Sequence, residues 1–242
     1  MRPAAPFLSI VVPAYNESSQ LAETVDDLLV GLTTGELGGR IPSFEILIAE
    51  NGSVDGTRDL AVSLANEHGH VVARSLPRAD YGAALRAGIL ETTGTVIACF
   101  DADYYDLSFL DAALGALDEV DMVLASKRAT GSIDTRPWSR RVVTAAFAAL
   151  LHVGFALDVS DTHGMKVMRR EAVADLVPRC RFTADLFDTE LVIRTVRAGR
   201  RVIELPVVVV ERRPPRTSVW ARMPRALAGL VRLRVALARE SR

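Results

Sequence analysis

Asp101 and Asp103 stand two residues apart at the close of a strand-like run, Thr95-Val96-Ile97-Ala98-Cys99-Phe100. Where a buried strand opens into a loop, carboxylates at i and i+2 can hold one divalent cation at the sheet edge. Mg²⁺ and Mn²⁺ prefer oxygen donors and commonly complete their shell with substrate phosphates rather than a full protein cage. The competing reading is a solvated acidic pair capping a helix that starts near Leu107. The rest of the chain favours the cation.

Two other segments have the same character. In Glu50-Asn51-Gly52-Ser53-Val54-Asp55-Gly56-Thr57 an acid and an amide precede a helix start. That combination suits the base and ribose of a nucleotide, although an ordinary strand-to-helix turn capped by Asp55 has the same composition. In Val12-Pro13-Ala14-Tyr15-Asn16-Glu17 a rigid proline precedes a tyrosine on which a base can rest, or Asn16-Glu17 simply opens a helix.

These segments share a position because of the elements between them. Apolar runs at 7–12, 44–49, 71–74, 95–100 and 122–125 alternate with helical patterns near 17–30, 56–68, 81–92 and 107–117. Such alternation predicts an α/β fold, a mostly parallel Rossmann-like sheet with helices on both faces. Ligands of such sheets bind beyond the carboxyl ends of the strands, where all three segments fall. Further on, the run 142–157 is too short to span a bilayer and reads as a buried or interfacial helix. A helix near 185–198 and a strand at 201–210 follow. A Pro-rich break, Arg213-Pro214-Pro215-Arg216, suggests a globular domain over 1–218 and a separate basic helix over 219–242.

The 242 residues carry a net charge of −1, yet residues 212–242 hold nine arginines and one acid. Lys127 and Lys166 are the only lysines among 29 basic residues, a bias that a GC-rich genome produces unaided. Cys99 and Cys180 lack metal-ligand spacing and fit a reduced, cytoplasmic setting. The N-terminal residues lack the apolar core of a signal peptide. No nucleic-acid partner is expected.

Taken in order, five segments resemble the family 2 glycosyltransferases of GT-A fold, especially the polyprenyl-phosphate (dolichol-phosphate-type) mannosyl- and glucosyltransferases. They are Val12-Pro13-Ala14-Tyr15-Asn16-Glu17, Asn51-Gly52-Ser53-Val54-Asp55-Gly56-Thr57, Asp101-Ala102-Asp103, Asp161-Thr162-His163-Gly164-Met165-Lys166, and Glu190 with Val202-Ile203-Glu204-Leu205-Pro206. The resemblance covers about residues 7–220. It implies that Pro13, Tyr15, Glu17, Glu50, Asn51, Asp101 and Ala102 line a nucleotide-sugar pocket (GDP-mannose or UDP-glucose). It also implies that Asp101 and Asp103 hold Mg²⁺ or Mn²⁺ on the diphosphate, and that the hexose transfers with inversion. The chain departs from the family where Glu50-Asn51 replaces two aspartates and Tyr105 replaces a frequent glutamine, with Asp106 as a substitute ligand.

The acceptor divides the expectations. Transfer to a hydroxyl requires a general base, for which Asp188 and Glu190 are placed by position. Transfer to polyprenyl phosphate requires instead cations that dock a phosphate, for which Arg128, Arg140, Arg141 and Arg213 are the candidates. A sugar nucleotidyltransferase is disfavoured because no Gly-rich, Arg-Lys triphosphate segment follows the first strand. A decayed nucleotide-sugar-binding protein is the non-enzymatic alternative. Across 220–239, Ala226, Leu230, Leu233 and Leu237 form an apolar stripe with arginines opposite, the pattern of an interfacial helix on the inner face of the cell membrane or of a helix packed on its own domain.

Overall fold

The computed structural model describes residues 6–134, 138–209 and 219–240, with backbone alone at 134, 139, 140, 185, 209 and 219–225. Its first half runs β1 (Leu8–Ala14), α1 (Leu21–Thr33), β2 (Phe44–Asn51), α2 (Thr57–Glu67), β3 (Val71–Leu76), α3 (Tyr81–Glu91), β4 (Val96–Cys99), α4 (Leu107–Ala116) and β5 (Met122–Ser126). Then come β6 (Ile133–Asp134), α5 (Trp138–Phe155), β7 (Lys166–Arg169), α6 (Arg170–Val173), α7 (Phe187–Arg197), β8 (Val202–Pro206), β9 (Val208–Val209) and α8 (Val219–Glu240).

Seven strands form one sheet in the order β3-β2-β1-β4-β7-β5-β8, and β6 pairs with β9 in a two-stranded sheet. All pairings in the large sheet are parallel except those of β7, which runs antiparallel to both β4 and β5. The period-2 alternation of side chains builds two cores. Ile10, Val12, Ile46 and Ala98 pack with Val25, Ala61 and Leu110 from α1, α2 and α4. Val11, Leu47, Ile97 and Met168 pack with Leu85, Val192 and Leu233 from α3, α7 and α8. Residues 201–210, expected as one strand, divide between β8 and β9.

The reversed strand β7 has a positional consequence: its amino end, carrying Lys166, joins the carboxyl ends of the parallel strands. Its other end fastens both helix layers. Arg170 donates to Ile89 O (3.2 Å) in the last turn of α3 and to Thr92 Oγ1 (3.0 Å) just past it, and Arg169 donates to Leu117 O (2.7 Å) past α4. Cations bound to these terminal carbonyls also oppose the negative ends of the helix dipoles.

The α8 stripe faces the protein, which corrects the interfacial reading of that stripe. Leu230, Leu233 and Leu237 are buried and join Leu186 and Phe187 in one core. Gly229 permits this approach, since a Cβ there would lie 2.1 Å from Leu186 Cδ1. At the far end, Arg194 of α7 donates to Glu240 at 2.7 Å.

Candidate functional site

The sheet's carboxyl edge is assembled by loops that bind one another. Asn16, at φ 56°, turns the chain out of β1; its N–H donates to Ser53 Oγ (3.0 Å), and its Oδ1 accepts from Val54 N–H (2.9 Å). Glu17 N–H donates to Thr57 Oγ1 at 2.8 Å, while Asp55 Oδ1 accepts the Thr57 hydroxyl at 2.5 Å. The β1 and β2 loops therefore form one unit, with Tyr15 exposed on it. Pro13 is a buried strand residue paired opposite Ala49; its missing N–H is tolerated because the β1–β4 ladder ends at Val11 and Cys99.

Glu50 and Asn51 are both buried, and each binds backbone. Glu50 Oε1 accepts from Ser53 N–H at 2.5 Å, and Asn51 Oδ1 accepts from Asp80 N–H at 2.6 Å. Gly52 stands at φ +67°, where a Cβ would lie 2.8 Å from the backbone of Arg78. The β2 turn is thereby seated on the loop that enters α3.

Asp101 closes a tight turn in which its backbone exchanges two hydrogen bonds with Tyr104, at 3.1 and 3.2 Å. The Ala102 carbonyl accepts the Thr24 hydroxyl at 2.6 Å. Asp103 is exposed, and Tyr81 Oη donates to Asp101 Oδ1 at 3.0 Å. Burial, followed by the charge of Asp103, raises the Asp101 carboxyl above its ordinary range. The Tyr81 phenol is pushed up by burial and then by the charge of Asp101. Neither member of the pair caps α4: Asp106 does, accepting Phe109 N–H at 3.0 Å, which commits the expected substitute ligand to a structural bond.

The two candidate bases are both held in ion pairs. Asp188, 2% exposed, accepts from Lys166 Nζ at 2.6 Å, and the same ammonium donates to Gly164 O at 2.9 Å. Burial is the largest single effect and disfavours the Lys166 ammonium, but the charge and hydrogen bond of Asp188, with Cys99 and Asp101 nearby, together outweigh it, and the group lies above its ordinary value. Glu190 is fully buried; Oε2 accepts from the N–H groups of Arg181 and Phe182, both at 2.8 Å, and Oε1 accepts from Arg194 at 2.8 Å. Glu190 thus organises the 181–182 backbone and is paired with Arg194 on its own helix.

Among the acceptor cations, Arg128 is exposed just past β5, its N–H bound to Ser126 Oγ at 3.1 Å, and Arg141 is exposed on α5. The Arg140 side chain and all of Arg213 lie outside the described residues. Sequence reasoning missed Asp80, which accepts from Ala83 N–H (2.9 Å) and Ala184 N–H (2.7 Å) and so joins α3 to the 183–186 segment. Its signal is an aspartate directly before the Tyr81 helix, an N-cap position. Tyr81 was missed because a helix's first residue gives no sign that it reaches another loop.

A family model described as glycosyl transferase family 2 matches residues 9–177, more than half of the chain. The chain belongs to that family. An uncharacterized glycosyltransferase of Mycobacterium tuberculosis is 30% identical to this family 2 chain over 226 residues, 93% of each. The undecaprenyl-phosphate mannosyltransferase of Micrococcus luteus is 28% identical over 211 residues, covering 84% of this chain and 83% of that one. Glucosyl-3-phosphoglycerate synthase of Mycobacterium tuberculosis, solved with Mn²⁺, UDP and phosphoglyceric acid, aligns at a TM-score of 0.69 with 21% identity, over 96% of this chain and 79% of that one. This last likeness establishes the GT-A fold.

The residues present fit a divalent cation. Asp101 and Asp103 offer hard oxygen donors from one turn, and their mutual repulsion is what a cation relieves. No group of three or more His, Cys, Asp or Glu surrounds such a position among the described residues.

Proposed function

We propose that this family 2 glycosyltransferase moves a hexose, mannose in preference to glucose, from GDP-mannose or UDP-glucose to polyprenyl phosphate at the cytoplasmic membrane face, with inversion. The observation that carries this reading is the commitment of Asp188 to Lys166 and of Glu190 to Arg194, each pair buried. This engagement of both carboxylates supports an acceptor that arrives as a nucleophile with no proton to lose. A phosphomonoester does, being mostly dianionic near neutrality with a second pKa of about 6. Its relative from Micrococcus luteus, named for transfer to undecaprenyl phosphate, supports the same choice.

In this reading Tyr15, Glu17, Glu50 and Asn51 hold the nucleotide, and the turn fastened by Thr24 and Tyr81 presents Asp101 and Asp103 to the diphosphate. A divalent cation held by Asp101 and Asp103 would neutralise charge on the leaving nucleoside diphosphate. An oxygen of the acceptor phosphate bonds to the anomeric carbon from the face opposite the diphosphate. The bond from that carbon to the diphosphate oxygen breaks, and its electron pair leaves with the nucleotide. Arg128 and Arg141, with Arg140 and Arg213, dock the acceptor phosphate.

The test supplies radiolabelled GDP-mannose or UDP-glucose with polyprenyl phosphate and Mn²⁺, and scores label in the lipid extract. Lipid-extractable hexose, absent when polyprenol replaces its phosphate, is expected. Transfer to hydroxyl acceptors with none to polyprenyl phosphate overturns the reading.

A further inference from the structure

No described helix is long and apolar enough to cross a membrane, and the α8 stripe expected to meet lipid is buried. A different apolar surface remains outside. On α5, Trp138 is 77% exposed, Val142 55% and Val153 83%. The spacings of four and eleven place all three on one face, since eleven residues make about three turns. On α8, beside the buried leucines, Leu227, Val231 and Val235 are exposed at intervals of four. The two helices touch: Arg234 donates to Gly154 O, one residue from Val153, and its guanidinium lies 5.9 Å from the centre of the Phe155 ring.

Charge selects the occupant. Arg141, Arg232, Arg234 and Arg239 are exposed on the same two helices. No acid occurs in α5, and the single acid of α8, Glu240, is engaged by Arg194 and Arg181. Asp158, just past α5, lies 3.9 Å from His152. A second copy of this face would bring arginines against arginines, since a two-fold interface apposes the same patch to itself. An anionic bilayer matches both properties, because apolar side chains enter the headgroup boundary while arginines meet lipid phosphate. The position is also appropriate. Phe147 of α5 packs against the His163 ring at 5.6 Å, so the helix borders the loop that carries Gly164 and leads into Lys166 of β7.

We propose that the outward faces of α5 and α8 form the surface on which this protein rests on an anionic lipid bilayer, placing the acceptor end of the site at the headgroups. The inference rests on the polyprenyl-phosphate reading for its purpose and on exposure and charge for its geometry.

The test is co-sedimentation of the full chain with phosphatidylcholine vesicles containing phosphatidylglycerol, against phosphatidylcholine alone. Binding to the anionic vesicles that weakens as salt rises is expected. Val153→Glu combined with Val231→Glu should lower vesicle partitioning at least about ten-fold, because each places a charge where an apolar group enters the boundary. Both positions are exposed, so circular dichroism should be unchanged; if the pair destabilises the fold, Val153→Ser with Val231→Ser replaces it. Protein left in the supernatant at low salt, or a folded double variant that binds like the parent, overturns the proposal. So does a solution dimer, seen by light scattering, that the double variant dissociates, since a second copy then covers the face. Transfer to detergent-dispersed polyprenyl phosphate is measured in parallel. Vesicle binding without any such transfer sinks the acceptor reading and leaves the surface standing, whereas transfer in detergent without vesicle binding does the reverse.

Discussion

Replacing Lys166 by Met and Asp188 by Leu, singly and together, tests whether this pair is structural glue or catalytic machinery. Both groups are essentially buried, at 0% and 2% exposure, and meet at 2.6 Å. Lys166→Met leaves the Asp188 carboxylate buried without its cation. Asp188→Leu leaves the ammonium with Gly164 O as its closest hydrogen-bond acceptor. Breaking a buried pair from one side costs about 3–5 kcal/mol, whereas replacing both partners by apolar groups of similar volume is often neutral. At about 2–4 °C per kcal/mol for a chain of this length, each single variant should melt roughly 6–20 °C below the parent, and the double variant within a few degrees of it. The cycle should therefore give a coupling of about 3 kcal/mol or more. Because the folded Lys166 value is raised, the stabilisation is fully present below the unfolded value and is lost only as pH rises through the folded one, so neutral pH is the correct place to measure it.

Thermal melts supply the stability half of that test, and transfer to polyprenyl phosphate supplies the other. A general base contributes about 10²–10⁴ in rate. If the acceptor brings its own anion, the folded double variant should transfer hexose within about ten-fold of the parent, well short of that loss. A drop of about 10³ or more in a double variant with parental melting would restore Asp188 as the base and with it a hydroxyl acceptor. Additive single effects on stability would refute the pairing itself.

Three further outcomes are expected. Asp103→Asn should abolish transfer and weaken Mn²⁺-dependent binding of nucleoside diphosphate while leaving the melt unchanged; calorimetric titration with Mn²⁺ and UDP or GDP checks it, and full turnover in excess chelator contradicts it. Asn51→Ala should raise KM more than it lowers kcat, by about 1–2 kcal/mol, since it frees the Asp80 N–H and loosens the loop entering α3 without touching the reacting atoms. A collapsed kcat at constant KM speaks against that placement. Glu240→Gln should destabilise the protein at neutral pH and much less in acid. The Arg194 hydrogen bond holds the Glu240 carboxyl below its ordinary value, so its stabilisation is present above the unfolded value and fades as pH falls through the lowered one. Urea unfolding of parent and variant on both sides of that window reads the difference.

Much of the edge was legible because its signals are local. Strand runs followed by helical periodicity imply a parallel sheet, and the sheet's direction places Tyr15, Asn51 and Asp101 on one rim whatever the details of packing. The reversed strand was not legible. Lys166–Arg169 is four residues long, and nothing in Lys-Val-Met-Arg states a direction; β7 is fixed by the strands on either side of it. The partner of Asp188 was hidden for the same reason, since Lys166 reaches it across 22 residues and only through that reversal. The partner of Glu190 was in plain view. Arg194 lies four residues on in the same helix, the separation at which charged side chains meet, and that spacing weighs against a free base at Glu190 before any fold is known.

The C-terminal helix shows why an amphipathic pattern identifies a face and not its occupant. A period of 3.6 residues finds Leu230, Leu233 and Leu237 equally well whether lipid or protein covers them. The discriminating information lies on the exposed part of the helix. A helix that merely packs on its own domain can be polar outside, yet α8 carries Leu227, Val231 and Val235 there, interleaved with Arg232 and Arg234. Valines on an exposed helical face help neither helix propensity nor solubility. Two separate apolar stripes on one basic helix, one buried and one exposed, point to two different neighbours. The first is the leucine-lined core around Phe187, held by a glycine at the closest approach and by the Arg194–Glu240 bond at the end. The second must accept apolar and cationic groups side by side, and α5 extends the same demand outward from Val153 to Trp138. The anionic bilayer proposed above would meet that demand at the exposed residues of both helices, and on the polyprenyl-phosphate reading it would bring the acceptor phosphate to the loop that α5 borders.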